Sequence, residues 1–274
     1  MLTELPVPEP VLRLGCFVVV LIAMAALEAA LPRRQLAYSK LRRWTTNLSM
    51  VAFGALVGRA LAWASSVLAA PLVAVAAAEL AARNGWGLLN AWSGGPAWIK
   101  VVLAVIVLDF AIYLQHVASH LVPVLWRFHR MHHADVDFDV TTALRFHPVE
   151  IALSALYKAC WVLVLGPSAV AVVLFEVLLN ACAMFNHANV ALPGPLDRVL
   201  RLLIVTPDMH RVHHSVRPEE HNRNYGFNLS IWDRMLGTYR NQPRGGHTAM
   251  TIGLNDYQSP APTRICWSLW LPFL

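Results

Sequence analysis

Residues 116–133 read HVASHLVPVLWRFHRMHH, and residues 210–214 read HRVHH. The first stretch holds His116-x-x-x-His120 and His129-x-x-His132-His133; the second repeats the latter spacing as His210-x-x-His213-His214. On a helix, positions i, i+3 and i+4 share a face, so each H-x-x-H-H run can point three imidazoles at one place. With 12 histidines in 274 residues, independent placement would give roughly 0.02 copies of that run. Two copies mark a built site, and such groups of imidazoles point to metal, with more than one ion.

Outward from the histidines the chain is apolar. Hydrophobic residues make up 57% and charged residues 14%, with a mean hydropathy of +0.50. This excludes an ordinary soluble enzyme and predicts an integral membrane protein. The net charge of +6 does not signal nucleic acid, because Lys and Arg concentrate in short segments beside apolar runs, where they set topology and meet anionic headgroups. No nucleic-acid partner is expected. Cys16, Cys160, Cys182 and Cys266 are widely spaced, and three sit in apolar runs, which argues against both a disulfide framework and a thiolate site. The first apolar run follows an acidic start (Glu4, Glu9) and is expected to stay as an anchor.

The fold expected is all-α and multi-pass, with about four transmembrane helices and a cytosolic, histidine-rich helical cap. Residues 11–32 are long enough to span. Arg33, Arg34, Lys40, Arg42 and Arg43 follow, which makes that loop cytoplasmic. Residues 48–69 return, and the Ala-rich 72–83 is too short to cross, so it is expected at the interface or as a re-entrant helix. Residues 97–120 lead back to the cytoplasm and end on His116 and His120. A hairpin over 148–187, opened by Pro148 and turned at Gly166-Pro167, delivers His187 to the same side. The cap comprises 121–147 and 188–260, residues 267–274 form a short apolar tail, and the whole chain reads as one unit, 1–274.

Nine histidines therefore gather on the cytoplasmic side: His116, His120, His129, His132, His133, His187, His210, His213 and His214. That exceeds what one ion uses, so two metals are the economical reading. Imidazole suits Zn, Cu, Fe and Ni; with iron, a site so rich in neutral ligands keeps a positive charge suited to activating O2 against a C–H bond.

HRMHHADVDFDVTTALRFHPVE at 129–150, TPDMHRVHHS at 206–215 and NYGFNLSIWDRMLGTY at 224–239 resemble the fatty acid hydroxylase superfamily, which includes the sterol desaturases. The resemblance covers about 33–240. It implies a membrane-embedded di-iron oxygenase with four transmembrane helices and a cytosolic cap, its metals lying where cap meets membrane. It implies that His-x-x-x-His and both H-x-x-H-H sets are ligands. Some members have a further histidine four positions before the one matching His187; here Ala183 stands there, so nine are carried over. The expected cofactors are two iron ions, for which zinc can substitute in purified protein, with O2 as co-substrate. The substrate is a sterol-like, fatty acyl or alkyl lipid, and the product an alcohol or an alkene. No electron-carrying motif is visible in the chain, so an external donor is expected, of ferredoxin or cytochrome type with its reductase. Two other classes compete: a metal transporter, which would spread its ligands across the bilayer, and a membrane-surface zinc hydrolase, which would need a carboxylate base.

Other residues have narrower readings. His147, in Phe-His-Pro, is expected to orient rather than ligate, and Glu150, Asp208 and Asp233 are candidates to receive the outer N–H of a ligating imidazole. His221 is expected solvated or beside the site, and His247 on the surface. Asp135, Asp137 and Asp139 lack the Gly and closing Glu of a calcium loop and read as loop acids. At 1.5 Å per residue, Arg59, Asp109 and Glu176 each lie about 16 Å from the cytoplasmic ends of their helices. Charges at that depth normally pair, which predicts Arg59 bound to Asp109, Glu176 or both. Asp109 and Tyr113 share helical spacing with His116 and His120, as Glu176 and Asn180 do with His187; these four, with Arg59, are expected to line a cavity above the metals.

Overall fold

The structure is a computed structural model and describes residues 7–68 and 70–274. Its helices are α1 (Glu9–Ala30), α2 (Lys40–Leu68), α3 (Ala74–Asn84), α4 (Leu88–Ala91), α5 (Ala97–Leu121), α6 (Pro123–His133), α7 (Pro148–Leu165), α8 (Ala169–Asn186), α9 (Gly194–Leu200), α10 (Pro207–His213), α11 (Pro218–His221), α12 (Ile231–Met235), α13 (Gly246–Ala249) and α14 (Ile265–Trp270). Among the described residues there is no strand, only isolated bridges. Five helices, α1, α2, α5, α7 and α8, are long and apolar enough to cross a membrane. The all-α, multi-pass expectation holds, with each arm of the 148–187 hairpin a helix of spanning length.

Local chemistry sets the helix ends. Pro148 opens α7 behind His147, whose Nδ1 accepts the Val149 N–H, and the Ser168 hydroxyl accepts the Ala171 N–H at the start of α8. Gly166 closes α7 at φ 67. The close approach of Gly166 to Gly87 and to the Trp86 carbonyl leaves no room for a side chain at either glycine. In α3, Ala74, Ala77, Ala78 and Ala81 recur at helical spacing and are buried. Their small side chains let α3 pack closely against α7 and α8.

α2 begins at Lys40, eight residues before the span read from its apolar run. Its polar first turns are helical because their side chains are buried by partners from the cap: Arg43 bonds Asp135 and Asp139, and Asn47 bonds Asp135 and Thr141. The end of α1, the start of α2, the end of α5, the start of α7 and the end of α8 meet at one pole with α6 and α10. Arg33 N–H donates to Asn189 O and Ala191 N–H to Leu31 O, each within 3 Å, which ties the end of α1 to the cap.

The expected pairing of Arg59 is wrong. Arg59 lies exposed on α2 and forms no ion pair with either acid. Glu176 is bonded by Arg13 of α1 (2.7 Å) and Lys158 of α7 (2.5 Å). Asp109 receives backbone N–H groups and the Trp232 indole from the cap. The depth argument weighed only three charges, and so missed both Arg13 and Lys158 on neighbouring spanning helices and a cap loop reaching down to α5.

Candidate metal centre

The nine histidines fall into two groups. His116, His120, His129, His133 and His213 form one; His132, His187, His210 and His214 form the other; within each group the donor nitrogens lie within 4.8 Å of one another. Each H-x-x-H-H run is divided between them. α6 gives His129 and His133 to the five-histidine group and His132 to the other, while α10 does the reverse with His210 and His214 against His213. On an α-helix, i and i+4 differ by only about 40° around the axis, whereas i+3 and i+4 differ by about 100°. The three imidazoles of one run thus divide between two groups, not the single place expected from shared spacing.

Within the four-histidine group, His187 Nε2 lies 3.2 Å from His132 Nε2, 3.1 Å from His210 Nε2 and 3.2 Å from His214 Nε2. In the other, His213 Nε2 lies 3.0 Å from His116 Nε2, while both nitrogens of His120 and His133 and Nε2 of His129 are buried without a partner. Buried polar atoms are rarely left so. Metal–nitrogen bonds of about 2.1 Å place neighbouring ligand nitrogens about 3.0–3.4 Å apart, so both groups fit a metal site, and both consist of histidine alone.

Outer bonds fix which nitrogen faces inward. Nδ1–H of His116 donates to Tyr225 O, that of His213 to Arg223 O, that of His187 to Ala183 O and that of His129 to Glu150 Oε1, each at 2.7 Å. This leaves Nε2 as the lone-pair donor. Burial, reinforced by neighbouring imidazoles, pushes His132, His133, His210, His213 and His214 well below the usual histidine range, and burial takes His187 to about 3. All six are neutral near pH 7, the form that ligates metal.

The remaining expected residues are dispersed. Glu150 touches His129, as above. Asp233 reaches His116 only indirectly, by accepting the N–H groups of Tyr225 and Gly226. Asp208 bonds no candidate ligand; Arg33 and Arg211 occupy it. His147 caps α7 and lies outside both groups. Tyr113 bonds Thr238 at 2.9 Å, and Asn180 is exposed, donating to Glu176 O of its own helix. His247 is buried, not on the surface, with Nε2 3.5 Å from Asp208 Oδ2. The Gly245-Gly246 pair before it suggested a solvated turn, but α13 packs against α10. His221 stacks on Trp126 at 5.7 Å, beside His120. Asp135, Asp137 and Asp139 are buried fasteners: Asp137 accepts the N–H groups of Ala37 and Tyr38, and the other two hold Arg43. Burial alone would raise the Asp135 carboxyl, but Arg43 holds it at about 2. Sequence reasoning missed the carbonyls of Arg223 and Tyr225, since a main-chain acceptor leaves no mark in residue type.

A family model described as fatty acid hydroxylase matches residues 101–238, just over half of the chain. The chain belongs to the fatty acid hydroxylase family. This fatty acid hydroxylase family member is 34% identical over 158 residues to the ornithine lipid hydroxylase OlsE of Rhizobium tropici, covering 57% of this chain and 46% of that protein. It is 30% identical over 188 residues to the alkylglycerol monooxygenase of Homo sapiens, 66% of this chain and 39% of that one. It is 30% identical over 161 residues to the fatty acid hydroxylase vlmA of Lecanicillium sp, 52% and 42%. The chain thus spans less than half the length of these curated relatives. No solved structure matches it.

Proposed function

We propose that this chain is an O2-dependent, non-haem di-iron hydroxylase that inserts oxygen into a C–H bond of a membrane lipid, each histidine group holding one iron. The observation that carries the reading is the division of nine buried imidazoles into two adjacent, carboxylate-free groups. The relatives' names, hydroxylases and monooxygenases, favour an alcohol over an alkene, and two of them favour a hydrocarbon chain carried on a polar lipid head. Iron held there supplies the redox chemistry that reduces O2 and oxidises the C–H bond. The balance is R–H plus O2, two electrons and two protons giving R–OH and water. The electrons require an external donor, of ferredoxin or cytochrome type, approaching from the cytoplasmic side.

The chain's own residues have separate tasks. The carbonyls of Arg223, Tyr225 and Ala183 and the Glu150 carboxylate hold Nδ1 protons outward, which keeps four Nε2 atoms aimed inward. Burial of the imidazoles excludes water from their inner face. A transport path would spread ligands along the span, whereas these stand at one pole. A zinc hydrolase would supply a carboxylate base, and neither group contains one. Full-length protein purified in detergent without added metal should carry two irons per chain. Supplied with reductant, a membrane lipid extract and heavy-isotope O2, it should yield a lipid alcohol bearing the label. Zinc as the sole metal, with no label in any lipid, would overturn the reading.

A further inference from the structure

Segment 223–228 lies between α11 and α12, and two of its carbonyls complete the five-histidine group. Arg223 O takes the Nδ1 proton of His213, and Tyr225 O that of His116. A carbonyl can orient an imidazole only if the backbone carrying it is fixed, and this segment belongs to no helix or strand. Two carboxylates fix it. Asp233 accepts the N–H groups of Tyr225 and Gly226, both at 2.8 Å, and the Thr238 hydroxyl at 2.7 Å. Asp109, about two turns before His116 on α5, accepts the N–H groups of Asn228 (3.3 Å) and Leu229 (3.1 Å) and the Trp232 indole N–H (2.8 Å).

Both carboxylates are buried, and neither pairs with a lysine or arginine among the described residues. Gly226 must be glycine for this contact, because a Cβ there would stand 2.9 Å from Asp233 Oδ2, Leu229 O and Val205 Cγ2. Asn224, at φ 54, pins the start of the segment: its amide donates to Met209 O and Arg240 O and its oxygen accepts the Arg240 N–H. The four-histidine group is held otherwise. His187 bonds a carbonyl of its own helix, and Nδ1 of His132, His210 and His214 has no partner.

We propose that Asp109 and Asp233 are positioning residues for the metal of the five-histidine group, acting through the carbonyls of Arg223 and Tyr225, and that they set its affinity without setting that of its neighbour. This rests on the two-iron reading above. An amide at either position would turn an N–H toward an N–H and release part of the segment. Loss of such outer partners typically weakens metal binding about 10–100-fold.

The test uses full-length protein in detergent, enriched in Mössbauer-active iron. Asp233→Asn, Asp109→Asn and Gly226→Ala are compared with wild type, and His120→Ala and His132→Ala mark the five- and four-histidine sites. Gel filtration and circular dichroism report folding; chelator titration and Mössbauer spectra report each ion. The expected result is that one of two irons is extracted about 10–100-fold more readily, and that the signal lost is the one missing from His120→Ala. Folded variants that keep both irons at wild-type affinity would overturn the proposal, as would parallel loss of both, or loss of the signal marked by His132→Ala. Should all three variants fail to fold, Thr238→Val, which removes one of the bonds to Asp233, must give a smaller shift in the same ion or the proposal falls. Wild type with fewer than two irons would defeat the di-iron reading instead.

Discussion

Arg43 is a fully buried guanidinium at the first turns of α2, and its bonding shows how the cap is fastened to the membrane helices. Nε and Nη2 form a two-pronged pair with Asp135 at 2.8 Å each, while Nη1 meets Asp139 and Nη2 also meets Thr142. Removing it strands two carboxylates in the interior, so Arg43→Met should cost about 3–5 kcal/mol. Arg43→Lys should recover part of this, because an ammonium cannot form the planar two-pronged contact. Unfolding in detergent measures both; a loss below about 1 kcal/mol for Arg43→Met, the surface-pair range, would contradict the assignment. At this scale the sequence was legible where residue types repeat in register, as with the nine histidines. It was misleading where a partner lies far along the chain. Arg59 was paired by depth alone, and Asp208 and His247 were read without the distant groups that surround them, Arg33 for Asp208 and α10 for His247.

Among the elements, α1 is the least enclosed of the spanning helices. It packs along α8, where Phe17, Val20, Leu21 and Met24 join a cluster with Val140, Ala143, Ala183 and Met184, and Arg13 joins Glu176, which also holds Lys158 of α7. Glu176→Gln would leave Arg13 and Lys158 facing an uncharged amide. The groups are 15–29% exposed, so the expected cost lies between the surface and buried limits, about 1–3 kcal/mol. It should appear as a lower unfolding temperature in nanodiscs, restored toward wild type by Glu176→Asp; an unchanged temperature would mean that α1 docks by its apolar face alone. The spanning helices were readable because lipid demands long continuous apolar runs. The start of α2 and the segment 223–228 were not, because what fixes them is hydrogen bonding to groups distant in sequence, which no periodicity reports.

At the scale of the whole molecule, the donor nitrogens come from α5, α6, the end of α8, α10 and the residue after it, so no single element holds a complete site. Metal bound there would therefore count as folding energy. At a free ion concentration 100-fold above its Kd, a single site adds about 2.7 kcal/mol. Ferrous iron should raise the unfolding temperature of chelated protein, and the rise should shrink in His120→Ala; equal temperatures with and without iron would contradict the site. Orientation is testable separately. Lys and Arg crowd the segment 33–43 at the cap pole, while Arg83 stands near the opposite turn, so the cap should face the cytoplasm. In a chain stripped of native cysteines, Ser39→Cys should react only with reagent admitted to the cytoplasm and Ser93→Cys with reagent outside. The reverse pattern would invert the topology.

The carbonyl of Arg223 faces His213 while its guanidinium leaves for the Gly237 carbonyl, in an exposed contact. Every amino acid brings a carbonyl, so this position can change identity and still orient the imidazole. Inserting or deleting one residue between Arg223 and Asn228 would instead slide both carbonyls off their histidines while leaving every histidine in place. At position 223, therefore, the spacing of the backbone matters more than the side chain, and a one-residue indel there should be more damaging than most substitutions of Arg223.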